Sequence, residues 1–355
     1  MKNSLKNILI ASTVVIASTL AITEASAATI EVTPENYIQV ETERNINNWS
    51  NMQKAQGGDD MWAESYQLGI IGDDAPTVRM NRDTLYRGAG VQAIDKEKGV
   101  TFVLPEFDET KVHMSLTVIG NDGFTPLYVT KSGTYTVNTA SSYWILIRVG
   151  VKDKTDMKER AAMEALSDAV VMTGAERFKL PDYNMEQLNA LTVQYNIEYT
   201  ASGEPLEYFK DESSYVKRFG SIEAGKAKHR WSNSGGFGGM EPVEELSNAY
   251  HVTQNTPGDV CTQATFQDPK NKFFTSITVY NEQGYMMEGE NHINSYAWVG
   301  NGDGTITVSF NCGKDAINSL DSNGKTFNYA YRHYGISKVV ADGEWEAVVA
   351  TPVEK

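Results

Sequence analysis

Lys111-Val112-His113-Met114-Ser115-Leu116-Thr117-Val118 is the stretch that decides how this chain is read. In an extended backbone Val112, Met114, Leu116 and Val118 point one way, and His113, Ser115 and Thr117 the other. This period-two alternation predicts a half-buried antiparallel strand. Residues 144–151 repeat it, with Ile145, Ile147, Val149 and Val151 on one face and Trp144, Leu146 and Arg148 on the other. Between the two, residues 126–130 and 134–137 flank Lys131-Ser132-Gly133 and read as a hairpin with glycine at its turn.

Downstream the period changes. Residues 156–172 place Met157, Ala161, Met163, Leu166, Ala169 and Val170 at helical spacing, with Thr155 or Asp156 as N-cap and Gly174 as the stop. Weaker helices are expected over 185–195 and 208–219, and a short one from Glu241-Pro242 to Tyr250. Residues 232–239 are Gly, Ser or Asn apart from Phe237 and read as a loop. Upstream, Thr33-Pro34-Glu35-Asn36 opens a helical stretch carrying Tyr37, Val40, Ile46 and Trp49. Strands resume over 273–280, 305–310 and 326–334, with a last one near 344–350. The fold class is therefore mainly β with a helical insert. Two antiparallel β-rich regions without alternating strand–helix spacing predict two β-sandwich domains, not a doubly wound sheet. An N-terminal β-rich domain is expected over 28–155, a helical linker region over 156–245 and a C-terminal β-sandwich over 246–355. No G-x-G-x-x-G follows a strand and no P-loop occurs, so nothing supports a nucleotide fold.

The chain has 355 residues and a formal charge of −15. A net anion repels nucleic acid and anionic lipid, so no nucleic-acid partner is expected. Lys2 and Lys6, an apolar stretch from Ile8 to Thr23 and Ala25-Ser26-Ala27 form the three-part pattern of a secretory signal peptide over residues 1–27. Cleavage after Ala27 removes two cations and one anion and leaves a charge of −16. No later apolar run approaches the length of about 20 residues that a membrane span needs. The expected location is periplasmic or secreted.

One string carries most of the polar chemistry. Asn81-Arg82-Asp83-Thr84-Leu85-Tyr86 resembles the signature of the domain-of-unknown-function family numbered 1254. Trp144-Ile145-Leu146-Ile147-Arg148-Val149 is similar to the closing strand of that family, with its arginine. The C-terminal third resembles the companion family numbered 1214 through Phe273-Phe274-Thr275-Ser276-Ile277-Thr278-Val279-Tyr280, Gly284-Tyr285 and Asn294-Ser295-Tyr296. Asn301-Gly302-Asp303-Gly304-Thr305-Ile306-Thr307-Val308 and the terminal Asp342-Gly343-Glu344-Trp345 complete that likeness. The two matches cover most of residues 35–350. The resemblance implies jelly-roll-like β-sandwich domains in exported bacterial proteins, with no assigned activity.

From Arg79 to Tyr86 two guanidiniums, a carboxylate, an amide and a phenol fall within eight residues. Arg79, Asn81, Arg82 and Arg148 are candidate ligand-binding residues, because a guanidinium presents a rigid fork to carboxylates. Asp83 and Tyr86 are candidate catalytic residues that handle protons. The plainer reading of the same string is a structural network in which Asp83 pairs with an arginine. His113, His229, His251, His292 and His333 show no i, i+2 or i, i+4 pairing, so no metal and no cofactor is expected. No G-x-S-x-G occurs. Asn301-Gly302-Asp303-Gly304 reads as a hairpin turn and lacks the repeated acids of a calcium loop. Phe327, Tyr329 and Tyr331 with His333 either stack on a sugar ring or build core. Cys261 and Cys312 are a candidate disulfide, whose closure of a loop of about 50 residues would contribute about 4 kcal/mol.

Two functions follow. One is an exported binding or structural module for a carbohydrate or other small polar ligand, compatible with a homo-oligomer. The other is a hydrolase or lyase acting on an exported polar substrate. It requires Arg79, Arg82, Asp83, Tyr86 and Arg148 to share one cleft.

Overall fold

The computed structural model describes residues 29–353, apart from 56, 67–68, 76–77, 204–208 and 235–247. The signal peptide expected over residues 1–27 lies outside the described residues. Helix α1 (Tyr37–Lys54) precedes the strands β1 (Ala63–Ser65), β2 (Thr84–Ala93), β3 (Val100–Leu104), β4 (Met114–Gly120), β5 (Leu127–Val129), β6 (Gly133–Val137) and β7 (Ser142–Gly150). Then come α2 (Met157–Asp168), β8 (Val171–Thr173), β9 (Ala175–Arg177), α3 (Met185–Ser202), α4 (Ser213–Phe219) and α5 (Ile222–Ser234). The C-terminal region holds β10 (Asn248–Val252), β11 (Thr262–Gln267), β12 (Phe274–Asn281), β13 (His292–Asn294), β14 (Thr305–Phe310), β15 (Ser319–Leu320), β16 (Phe327–Tyr334), α6 (Lys338–Ala341) and β17 (Thr351–Pro352).

These strands build two antiparallel β-sandwiches. In the first, a sheet of order β1-β2-β7-β4-β5, with β9 also on β2, packs against a sheet of order β6-β3-β8. Leu116, Val118, Ile145, Ile147 and Val149 meet Val100 and Phe102 in its core. In the second, β10-β16-β12-β13 faces β15-β14-β11-β17. Its core joins Ile277, Val279, Tyr329 and Tyr331 to Ala264, Phe266, Val308 and Phe310. Cys261 and Cys312 are joined by a disulfide within this second sandwich.

The outer face of the first large sheet is not open. At one end α1 covers it, with Ile46 meeting Ile119, Trp144 and Leu146. Gly90 of β2 permits this approach: a Cβ there would stand 2.2 Å from Ser50 Oγ and 2.8 Å from Ile46 Cγ2. At the other end, the free face of the second sandwich closes over it. His113, Ser115 and Thr117 are therefore buried, although alternation predicted a face toward water. Alternation records the chemistry of each face, and here the polar face meets another polar protein face.

Other expectations change too. Residues 126–137 form no hairpin, because β5 pairs with β4 while β6 pairs with β3 in the opposite sheet. The segment 156–245, expected to be helical, carries β8 and β9 as well: the helix ends at Asp168, and Val171–Thr173 pairs with the edge of β3. The loop expected over 232–239 begins later, because residues 232–234 still belong to α5; residues 235–239 lie outside the described residues. The short helix expected up to Tyr250 is strand where it is described, since Asn248–Val252 pairs with β16; residues 241–247 lie outside. The last strand is Thr351–Pro352 instead of 344–350, and Trp345 folds into the core with its indole donating to Gln267 O.

Candidate functional site

Two strand rows face each other between the sandwiches. In the first sheet the register places Tyr86 opposite Arg148 and Arg148 opposite Ser115. In the second it places Tyr250 opposite Arg332 and Arg332 opposite Ser276. Each sheet thus carries a tyrosine, an arginine and a serine side by side on three neighbouring strands. The guanidinium of Arg148 lies over the Tyr86 ring at 5.6 Å, and that of Arg332 over the Tyr250 ring at 5.3 Å. Such cation–π contacts favour the charged arginine where water is scarce.

Asn81 and Asp83 join the two faces. Asn81 Oδ1 accepts from the Asp83 N–H, which fixes the amide orientation, and its Nδ2 donates to Tyr334 OH at 2.6 Å and Tyr86 OH at 2.9 Å. Asp83 is fully buried at 0% exposure. Its Oδ1 lies 2.6 Å from His292 Nε2, and its Oδ2 accepts from Ser276 Oγ at 2.6 Å and Tyr334 OH at 3.2 Å. Burial pushes the Asp83 carboxyl up, but the His292 charge and hydrogen bond, the Ser276 hydroxyl and the Arg332 charge outweigh it. The group is held below the usual carboxylate value.

The arginines are set differently. Arg332 Nη2 donates to Arg79 O, Met80 O and Tyr280 OH. Its Nε is buried without an acceptor. Burial works against the Arg148 charge, and the phenols of Tyr250, Tyr86, Tyr128 and Tyr334 work the other way and hold its pKa up. Burial also raises the phenols of Tyr128, Tyr250 and Tyr334, so these are neutral at ordinary pH. They solvate the guanidiniums as dipoles and do not neutralise them. Tyr250 nonetheless keeps 36% exposure, and Tyr86 and Tyr128 are half-buried. The accessible phenol surface of Tyr250, Tyr86 and Tyr128 beside two buried arginines marks where the polar layer between the sheets reaches solvent. His113 borders it, with its ring 5.2 Å from Tyr334 and 4.9 Å from Phe273. Among the described residues neither of its nitrogens has a hydrogen-bond partner, and burial with the nearby Arg148 charge pushes its pKa down to about 3.

Of the residues singled out from sequence, Asn81, Asp83, Tyr86 and Arg148 come together here. Arg79 and Arg82 do not. Arg79 donates to Asn328 Oδ1 at 2.8 Å, and Arg82 to Asn291 Oδ1 at 2.7 Å, so both clamp the second sandwich. Of the five charged and phenolic side chains that a hydrolase or lyase cleft was expected to gather, Asp83, Tyr86 and Arg148 are the three that remain together. Phe327, Tyr329 and Tyr331 lie in the core of the second sandwich and present no ring for stacking. Sequence reading missed Ser276, His292, Tyr334, Tyr250 and Arg332. The even-numbered partners of the aromatic strand, Arg332 and Tyr334, were the available signal. Among the described residues, no three His, Cys, Asp or Glu side chains gather where a metal ion could sit.

No protein-family model matches the chain, and no curated protein matches it in sequence. The fold has a counterpart among solved structures. The crystal structure of the VPA0106 protein from Vibrio parahaemolyticus aligns with a TM-score of 0.60 at 14% identity, over 90% of this chain and 98% of that one. An uncharacterized protein from Burkholderia cenocepacia aligns with a TM-score of 0.44 at 12% identity, over 89% of this chain and 85% of that one. The Vibrio likeness concerns the fold alone.

Proposed function

We propose that this protein is an exported binding module that holds a carbohydrate or other small polar ligand in a recess where the polar layer between its two sandwiches reaches solvent. The observation that carries the reading is the pair of facing Tyr–Arg–Ser rows, Tyr86–Arg148–Ser115 and Tyr250–Arg332–Ser276. Phenols and guanidiniums supply both stacking surface and directed donors, the mixture that polar ring-shaped ligands need. The resemblance to the paired families 1254 and 1214 agrees with a two-sandwich exported protein. An oxidising compartment fits the Cys261–Cys312 disulfide. Among the described residues no helix is long and apolar enough to cross a membrane.

A thermal-shift screen with neutral and acidic sugars at millimolar concentration tests the reading. It predicts a hit whose shift is lost in Tyr86→Phe and Tyr250→Phe. No shift with any ligand would contradict it.

One observation favours a second reading, a hydrolase or lyase. The Asp83 carboxylate orients the His292 imidazole at 2.6 Å, an arrangement suited to proton transfer, and His292 keeps 8% exposure. Asp83 would act through His292, with Tyr86 as the second proton carrier. Incubation of the wild-type protein with whatever ligand the screen returns should then yield product. Turnover unchanged in folded Asp83→Asn and Tyr86→Phe variants would exclude it.

A further inference from the structure

We infer that the recess takes an anionic ligand, a sugar acid or other small hydroxycarboxylate, and that Arg332 binds its carboxylate. This inference rests on the recess being a ligand site.

Arg332 is 7% exposed and, among the described residues, pairs with no carboxylate. Among the described residues, all its hydrogen bonds run from Nη2, to two main-chain oxygens and one phenol. Nε and Nη1 make none, and Nε is fully enclosed. The Nη2 bonds fix the guanidinium plane, so Nη1, the donor that is not enclosed, is held in place before any ligand arrives. The nearest buried acid, Asp83, is already engaged by His292, Ser276 and Tyr334. A buried guanidinium without a counter-ion is costly, and a bound anion removes that cost. Cation–π contact with Tyr250 and a hydrogen bond to Tyr280 moderate the charge but leave it in place. With the Asp83 carboxylate set against them, the two buried arginines Arg148 and Arg332 leave one net positive charge, which matches a monoanionic carboxylate better than a dianionic phosphate. The accessible ring of Tyr250 beside it calls for an organic body that can lie on a phenol face.

Isothermal titration of the purified protein with D-glucuronate, D-glucose and inorganic phosphate tests this. The inference predicts that wild-type protein binds glucuronate at least tenfold more tightly than glucose and more tightly than phosphate. It also predicts that Arg332→Gln removes this preference and that Arg332→Lys keeps part of it. Equal affinity for glucuronate and glucose would overturn the inference and leave the ligand site standing. Phosphate as the tightest of the three would overturn the carboxylate assignment. Binding of none of them would overturn both. The wild-type comparison decides the matter even where an Arg332 variant fails to fold.

Discussion

Replacing Asp83 with asparagine tests the network that ties the two sandwiches together. The side chain is fully buried, and it reaches across the domain interface to His292, Ser276 and Tyr334. Asparagine keeps the volume and can still meet the two hydroxyls, but it removes the charge opposite His292 and near Arg332. Removing the buried carboxylate set against the Arg332 guanidinium leaves that charge less compensated, and the retained hydrogen bonds place this variant near about 3 kcal/mol. Guanidinium denaturation followed by tryptophan fluorescence at pH 7 reads the change. A double-mutant cycle with His292→Gln should return a coupling of about 1–3 kcal/mol. The pH dependence has a fixed sign. The folded Asp83 is held below its unfolded value near about 4, so its contribution is complete above that pH and is lost as pH falls through the folded value. The gap between wild type and Asp83→Asn should therefore close in strong acid. A variant within about 0.5 kcal/mol of wild type at pH 7, or a cycle with no coupling, would refute the argument.

Three further outcomes are expected. Burial holds His113, His229 and His333 near pKa 3, below the unfolded value of about 6.5, so stability is complete above pH 6.5 and falls by about 1.4 kcal/mol per pH unit for each as pH drops toward 3. Equal denaturation midpoints at pH 7 and pH 5 would contradict this. Cys312→Ser opens a loop with a sequence separation of 51 and should cost about 4 kcal/mol, measured as a lower midpoint that reductant does not lower further. Gly90→Ala drives a methyl group into Ser50 and Ile46 of α1 and should cost about 1–3 kcal/mol by the same assay.

The two sandwiches were legible because each strand needs one apolar face, and Leu116, Val118, Ile145 and Ile147 declare it at period two. The covering of the other face was not legible. His113, Ser115 and Thr117 look solvent-facing in any single strand, and only the elements packed over that face, α1 and the second sandwich, make them interior. The site divides along the same line. Asn81, Asp83 and Tyr86 lie within six residues and stand out as a string, while Ser276, His292 and Tyr334 join Asp83 across sequence separations of 193, 209 and 251. In the aromatic strand the odd residues, Phe327, Tyr329 and Tyr331, are the conspicuous ones, and they build core. Its even residues, Arg332 and Tyr334, carry the polar interface.

The central claim is that the layer between the sandwiches is a ligand site. A crystal structure of the protein soaked with D-glucuronate tests it most directly. The account predicts a ligand lying between Tyr86 and Tyr250, with its carboxylate within hydrogen-bond distance of Arg332. A ligand seated on the outer surface of either sandwich, or an empty recess at a concentration that saturates binding in solution, would contradict it.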